Sequence, residues 1–461
     1  MSIVAAYIVP HPPLIVPEVG RGQERRIQKT VDSYHRVAKE IGELKPETVV
    51  VITPHSVMYQ DYIHISPGAG SSGDLRGFGA YGSGIKVDYD SELVSHIEKL
   101  AGEKGLAAGT LGERDKKLDH GAIVPLYFIE QYSDDYKVVR ISISGFTLIE
   151  HYRFGKCIQE AVKQLNRRTV IVASGDLSHR LKDDGPYDYA EEGPIFDEQV
   201  TKAMAEGDFL AFLKFKESFT EAAGECGLRG FVIMAGALDG MTVNSELLSY
   251  EGPFGVGYAV AAFHPTGTDE ARRIDVLYEE EEKEERERIR AGEDDYVSLA
   301  RLSLESYVRN RRYIDRPPGL PKELTKQKAG VFVTLKKHDR LRGCIGTISP
   351  VEECIADEII RNAVSAGTGD PRFDPVTEDE LDELVYSVDV LSDPEPIDSI
   401  DELDVERYGV IVSKGSRRGL LLPNIEGVTT PQQQVEIALK KAGILPRENY
   451  KLERFEVVRH K

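Results

Sequence analysis

The chain has 461 residues, 41% of them hydrophobic and 30% charged, with a formal net charge of −20. That length exceeds one ordinary core and points to two or three folded domains rather than a disordered chain. The negative balance excludes a general nucleic-acid binder, which needs clustered Lys and Arg to neutralise phosphate.

The first residues, MSIVAAYIVPHPP, are apolar but short, lack a basic start and are interrupted by prolines, so they read as a strand and not as a signal peptide. No run of about 18 apolar residues occurs, so no membrane span is expected. Cys157, Cys226, Cys344 and Cys354 are widely spaced and form no CxxC pair. This argues against a disulfide framework or a structural zinc site and fits a reducing cytoplasm.

In chain order, Ile3–Val9 is apolar and β-branched, residues 24–44 have helical spacing, and Thr48–Ile52 is a continuous apolar strand. Further apolar runs follow at Val138–Ile143, Thr169–Ala173 and Tyr258–Phe263. Short apolar runs separated by helical patterns predict an α/β domain, a central sheet covered by helices on both faces, over residues 1–268. In such sheets the useful side chains sit in loops beyond the strand ends. Residues 269–294 are read as a linker, since the stretch YEEEEKEERERIRAGEDD, from Tyr278 to Asp295, has no apolar face and reads as a solvated helix or tether. Residues 295–461 open with a helical pattern at 296–312 and a Pro-rich turn. Strands AGVFVTLKK and LRGCIGTI, a helix near 351–366 and the strand LVYSVDVLS follow, which predicts a smaller α+β domain.

The histidines fall where the strands end. IVPHPP and ITPHS place His11 and His55 after two strands, each in a loop stiffened by proline. Neutral imidazole ligates iron, zinc or copper, and two such loops can converge at one end of a sheet; each ring could equally be a loop residue bonded to backbone. LDHGAIVPL places Asp119 beside His120, and VIVASGDLSHRL places Ser174, Asp176 and His179 after a buried strand. A His held by an Asp suits general acid/base work; Asp176 or Ser178 could also simply cap a helix. EAAGECGLRGF offers Glu225 and Cys226 as a third donor, the carboxylate suiting Fe(II) and the thiolate zinc or copper. Adjacent side chains diverge, so only one of the two is expected to ligate.

The series IVPHPP, ITPHS, LDHGAIVPL, SGDLSH and GECG resembles the class III extradiol dioxygenases (LigB-type) and the related Memo proteins. That resemblance implies His11, His55 and Glu225 as ligands of Fe(II), with Cys226 the alternative third ligand, as in the Memo branch. It further implies His179 as the acid/base toward a small aromatic substrate and His120 as a pocket histidine; Asp176 joins the candidate catalytic residues from the local pattern, as the carboxylate near His179.

In the C-terminal part the most distinctive string is LRGCIG, residues 341–346. Arg342 offers a planar fork for an anion, and Cys344 reads either as a reactive thiolate or as a buried structural thiol in a glycine-kinked strand. The string, with SAGTGDPRFDPV and YGVIVSKGSRRGLLLP, resembles the AMMECR-type domain of the AmmeMemoRadiSam system protein A family. By association, the resemblance implies a radical SAM protein as partner.

Overall fold

The computed structural model describes residues 2–82, 84–338, 340–425 and 427–461. The chain divides into two compact units, Met1–Glu281 and Glu282–Lys461. The division falls inside an 18-residue helix, Ile274–Ala291, built from the acidic stretch.

The N-terminal unit is organised by a six-stranded mixed sheet. Its strands are β1 (Ile3–Val9), β2 (Thr48–Thr53), β3 (Lys137–Ser142), β4 (Thr169–Ser174), β5 (Met241–Glu251) and β6 (Tyr258–Thr268). Their spatial order is β3-β2-β4-β1-β6-β5. The first four run parallel, and β6 and β5 close one edge antiparallel. The alternating strand β5 is not among the apolar runs read from the sequence. One face stays wet there, whereas the parallel strands are apolar throughout because both of their faces are covered.

The period of two divides the strand residues between two cores. Ile8, Val50, Ile52, Val139 and Ile171 face one core with α2 (Ser91–Glu103), α4 (Leu148–Gln164) and α5 (Leu228–Ala237). Tyr7, Val9, Val49, Val51 and Val172 face the other with α1 (Gln28–Leu44) and α3 (His120–Ile129). Each fully buried Val, Leu or Ile side chain contributes about 1.5–3 kcal/mol, so register is strongly specified: a one-residue slip would exchange the two faces. The registers Val9↔Ser174 and Ile52↔Ala173 therefore bring the carboxyl ends of β1, β4 and β2 level and adjacent. Those ends carry the histidine loops.

The C-terminal unit is an antiparallel sheet with helices on its core face. Strands β7 (Val331–Lys337), β8 (Arg340–Gly346), β9 (Leu384–Leu391), β10 (Glu395–Ile397), β11 (Tyr408–Lys414), β12 (Arg417–Leu421) and β13 (Lys451–His460) take the order β8-β7-β9-β13-β11-β12, with β10 on β13. The helix Ile355–Thr368 packs its Ile359 and Ala363 against Val333 and Leu335 of β7. The two glycines of LRGCIG now have a packing reason. A Cβ at Gly343 would lie 2.1 Å from the Ala366 carbonyl oxygen, and one at Gly346 would lie 2.3 Å from the Phe332 ring.

Candidate metal centre

Three separate loops deliver three donor atoms to one place. His11 follows β1; the Tyr34 hydroxyl donates to the Pro10 carbonyl at 2.6 Å and pins that loop. His55 follows β2, its backbone N–H donating to Thr53 Oγ1 at 3.3 Å. Cys226 precedes α5, where its N–H donates to the Asp176 carbonyl at 3.4 Å. His11 Nε2 lies 2.9 Å from His55 Nε2 and 3.7 Å from Cys226 Sγ. Among the described residues, the His, Cys, Asp and Glu donors grouped closely enough to share an ion are those of His11, His55 and Cys226, all within 4.8 Å of one another.

The surroundings fit a cation. Bonds of about 2.0–2.3 Å to nitrogen and sulfur place the donors of a tetrahedral site about 3.3–3.6 Å apart, near the spacings found here. His11 Nδ1 meets Ser174 Oγ at 3.0 Å, which fixes the ring and leaves Nε2 facing its neighbours. The Asp176 N–H donates to Cys226 Sγ at 3.3 Å, a contact that favours a thiolate. Burial holds His11 well below the usual histidine range, and the His55, His120 and His179 rings push the same way. Burial likewise pushes the Cys226 thiol well up, reinforced by Asp176 and Glu225. A bound cation opposes the second shift, since it stabilises the thiolate, and acts with the first, since neutral imidazole is the ligating form.

Glu225 is turned elsewhere. Its Oε2 accepts the Leu228 N–H at 2.7 Å and caps the start of α5. The adjacent sulfur, not this carboxylate, joins the two imidazoles. Close backbone packing makes this arrangement reachable: a Cβ on Gly175 would lie 2.2 Å from the Gly227 Cα, so the loops of Asp176 and Cys226 touch because position 175 is glycine, while a Cβ on Gly227 would lie 2.2 Å from the Phe231 ring.

His120 and His179 flank the donors. The His120 ring stacks on His55 with centroids 4.2 Å apart and lies 5.4 Å from His11. Burial lowers His120 to about 4, aided by His55 and opposed by Asp119. Burial lowers His179 to about 4 as well, again aided by His55. Both rings are therefore neutral near pH 7. His179 Nε2 is buried without a hydrogen-bond partner, and its ring stacks on the exposed Tyr187 at 5.4 Å. Phe78, also exposed, sets its edge against His120 at 5.4 Å. Asp176 is buried, accepts the His11 N–H at 2.8 Å, and is pushed up to about 7 by burial.

Residues 5–261 match the family described as the catalytic LigB subunit of aromatic ring-opening dioxygenase. The chain belongs to the LigB family. Its C-terminal residues 297–460 match AMMECR1. This LigB–AMMECR1 chain is 44% identical over 469 residues to protein CA_C1420 of Clostridium acetobutylicum, covering 100% of both. It is 53% identical over 173 residues to a Thermotoga maritima protein, covering 37% of this chain and 99% of that one. The crystal structure of protein PH0010 from Pyrococcus horikoshii is 35% identical, covers 36% of this chain and 88% of its own, and has a TM-score of 0.34. That of JW3007 from Escherichia coli K12 is 16% identical, covers 56% and 99%, and has a TM-score of 0.41. Among the described residues, no helix is long and apolar enough to cross a membrane.

In the AMMECR1 part, the Arg342 fork is filled. Its Nε and Nη2 donate to Glu380 at 3.0 and 2.9 Å, so it is not left open for an anion. Cys344 is half-buried; its sulfur accepts from Thr334 Oγ1 at 3.3 Å and its N–H donates to Asp370 at 2.9 Å. The guanidinium touching this residue is that of Arg372, which donates to the Cys344 carbonyl at 3.3 Å.

Thr53, which accepts the His55 N–H and donates to Asp119, lies in no motif that marks it, and neither does Arg140, which lies 3.7 Å from that carboxylate. Arg140 carried a signal: it is a charge inside the otherwise apolar strand β3.

Proposed function

We propose that the LigB part is a metal-dependent oxidoreductase site for a small aromatic substrate, with His11, His55 and Cys226 as the metal ligands. The observation that carries this reading is the convergence of three donor atoms from three loops at the carboxyl ends of adjacent parallel strands. When bound, the ion supplies Lewis-acid and redox chemistry. His179, neutral near pH 7, accepts a substrate hydroxyl proton, and His120, also neutral, lines the pocket beside the donors. Asp176 fixes the His11 loop through its N–H. Tyr187 and Phe78 offer exposed aromatic faces at the rim. Fe(II) is the ion that the ring-opening family implies, whereas a thiolate beside two imidazoles favours zinc or copper.

That thiol also favours a second reading: a Memo-like accessory metal-binding protein acting with a radical SAM protein. Anaerobic purification with metal analysis, then catechol addition with O₂ uptake, separates the two. Stoichiometric iron and a ring-cleaved product support the oxidoreductase. Copper or zinc without turnover supports the accessory role. In the first case His179→Ala keeps the metal and abolishes turnover; loss of the metal in that variant would show that the acid/base role is misassigned.

A further inference from the structure

Arg140 is the largest fully buried side chain of the protein, with 1% of its surface exposed. Its Nε donates to Ser66 Oγ at 2.7 Å and its Nη2 to the Asp115 carbonyl at 3.4 Å, while Nη1 donates to the Lys117 carbonyl. It thereby holds the whole loop that leads to His120. Two carboxylates face this one guanidinium: Glu113 at 3.8 Å and Asp119 at 3.7 Å, only 11% and 12% exposed. The buried cluster therefore carries one negative charge more than positive.

Asp119 is the member that reaches the metal centre. Its Oδ1 accepts from Thr53 Oγ1 at 2.6 Å and from the Ala122 N–H at 3.2 Å. Thr53 in turn accepts the His55 N–H. One carboxylate oxygen thus joins the loop of His55 to the helix start of His120, the two residues whose rings stack. Gly121 leaves the space for this contact, since a Cβ there would lie 2.4 Å from Thr53 Oγ1. The other oxygen, Oδ2, is buried and has no hydrogen-bond partner. A desolvated carboxylate oxygen left without a partner costs free energy unless a positive charge is nearby. Arg140 lies beyond hydrogen-bond distance and is already shared with Glu113. A divalent ion held by two neutral imidazoles and one thiolate retains one positive charge, the sign that offsets the surplus of the cluster.

We propose that Asp119, anchored beside the buried guanidinium of Arg140, is the positioning residue of the metal centre: it ties His55 to His120 and supplies the counter-charge that holds a cation at His11, His55 and Cys226. This rests on the metal-site reading above. The assignment goes beyond the ligands themselves, because neither Asp119 nor Arg140 is a donor to the ion.

The test is Zn(II) binding by the full chain, measured by competition with a chromophoric chelator, alongside thermal unfolding of the metal-free proteins. Asp119→Asn keeps an oxygen for Thr53 and Ala122 and removes the charge. Its metal-free unfolding temperature should match that of the parent, while Zn(II) affinity falls about 10–100-fold. Glu113→Gln removes one charge from the same cluster without touching the Thr53 link, so it should weaken Zn(II) binding by a smaller factor even if Asp119→Asn folds poorly. Parent-like affinity in both variants overturns the proposal and leaves the metal centre standing. A parent protein that takes up no Zn(II), Cu(I) or Fe(II) sinks the metal centre itself, and this inference with it.

Discussion

Adjacent residues 225 and 226 should separate metal binding from helix stability. Glu225→Ala removes the acceptor of the Leu228 N–H at 2.7 Å and a negative charge at the start of α5. Loss of such a cap costs about 0.5–2 kcal/mol and loss of the dipole contact about 0.3–1 kcal/mol, so the metal-free protein should lose about 1–3 kcal/mol. Its metal affinity should fall far less than that of Cys226→Ala, because no Glu225 oxygen belongs to the donor group. Cys226→Ala removes one of three donors. Outer partners of a ligand alone are worth about 10–100-fold in affinity, so losing the ligand should cost more than about 100-fold, or about 2.7 kcal/mol of binding free energy. In the metal-free protein it removes the Asp176 N–H to sulfur contact, worth about 1 kcal/mol, and the longer sulfur contacts to the Asp176 carbonyl and His11 Nε2. Urea unfolding of metal-free samples and chelator competition on the same preparations read the two effects. If Glu225→Ala loses the ion while Cys226→Ala keeps it, the side-chain directions described here are wrong.

Three further outcomes follow from particular contacts. Gly175→Ala sets a Cβ 2.2 Å from the Gly227 backbone and forces the Asp176 and Cys226 loops apart; it should cost about 1–3 kcal/mol in thermal unfolding, and metal affinity should drop with it. Arg140→Met leaves Glu113 and Asp119 buried without their guanidinium; a loss of about 3–5 kcal/mol is expected, and a loss under about 1 kcal/mol would mean that these carboxylates find water. In the AMMECR1 part, the hydrogen-bonded Arg342 guanidinium lowers Glu380 from its ordinary 4.5 to about 2, against the opposing effect of burial. A carboxyl lowered on folding stabilises fully above its unfolded value, so this contribution is present above about pH 4.5 and is lost as pH falls toward 2. Glu380→Gln should flatten that acid limb in a series of denaturation curves; an unchanged limb would contradict the assignment.

Much of this architecture is written locally. The runs at Ile3–Val9, Thr48–Ile52 and Thr169–Ala173 are apolar without alternation, which by itself demands strands covered on both faces, and the structure has β1, β2 and β4 there. Proline-stiffened loops after two of them, β1 and β2, put His11 and His55 at one end of the sheet once both strands pair in parallel with β4 between them. The acidic run that fills most of the helix Ile274–Ala291 is equally local: beyond Ile274, Leu277 and Tyr278, which pack on the N-terminal core, it has no apolar face and forms a helix but no core of its own.

What the sequence alone determined, then, is whatever depends on short-range periodicity and backbone stiffness: two folded units, the sheet, and the pair of imidazoles. The choice between Glu225 and Cys226 lay outside its reach. Which side chain turns inward depends on where α5 begins and on Gly175 and Gly227 touching across about fifty residues of chain. The same is true of Arg140 and Asp119, whose meaning comes from desolvation shared among distant segments. Burial and close approach are properties of the assembled fold, and only the tertiary structure could decide them.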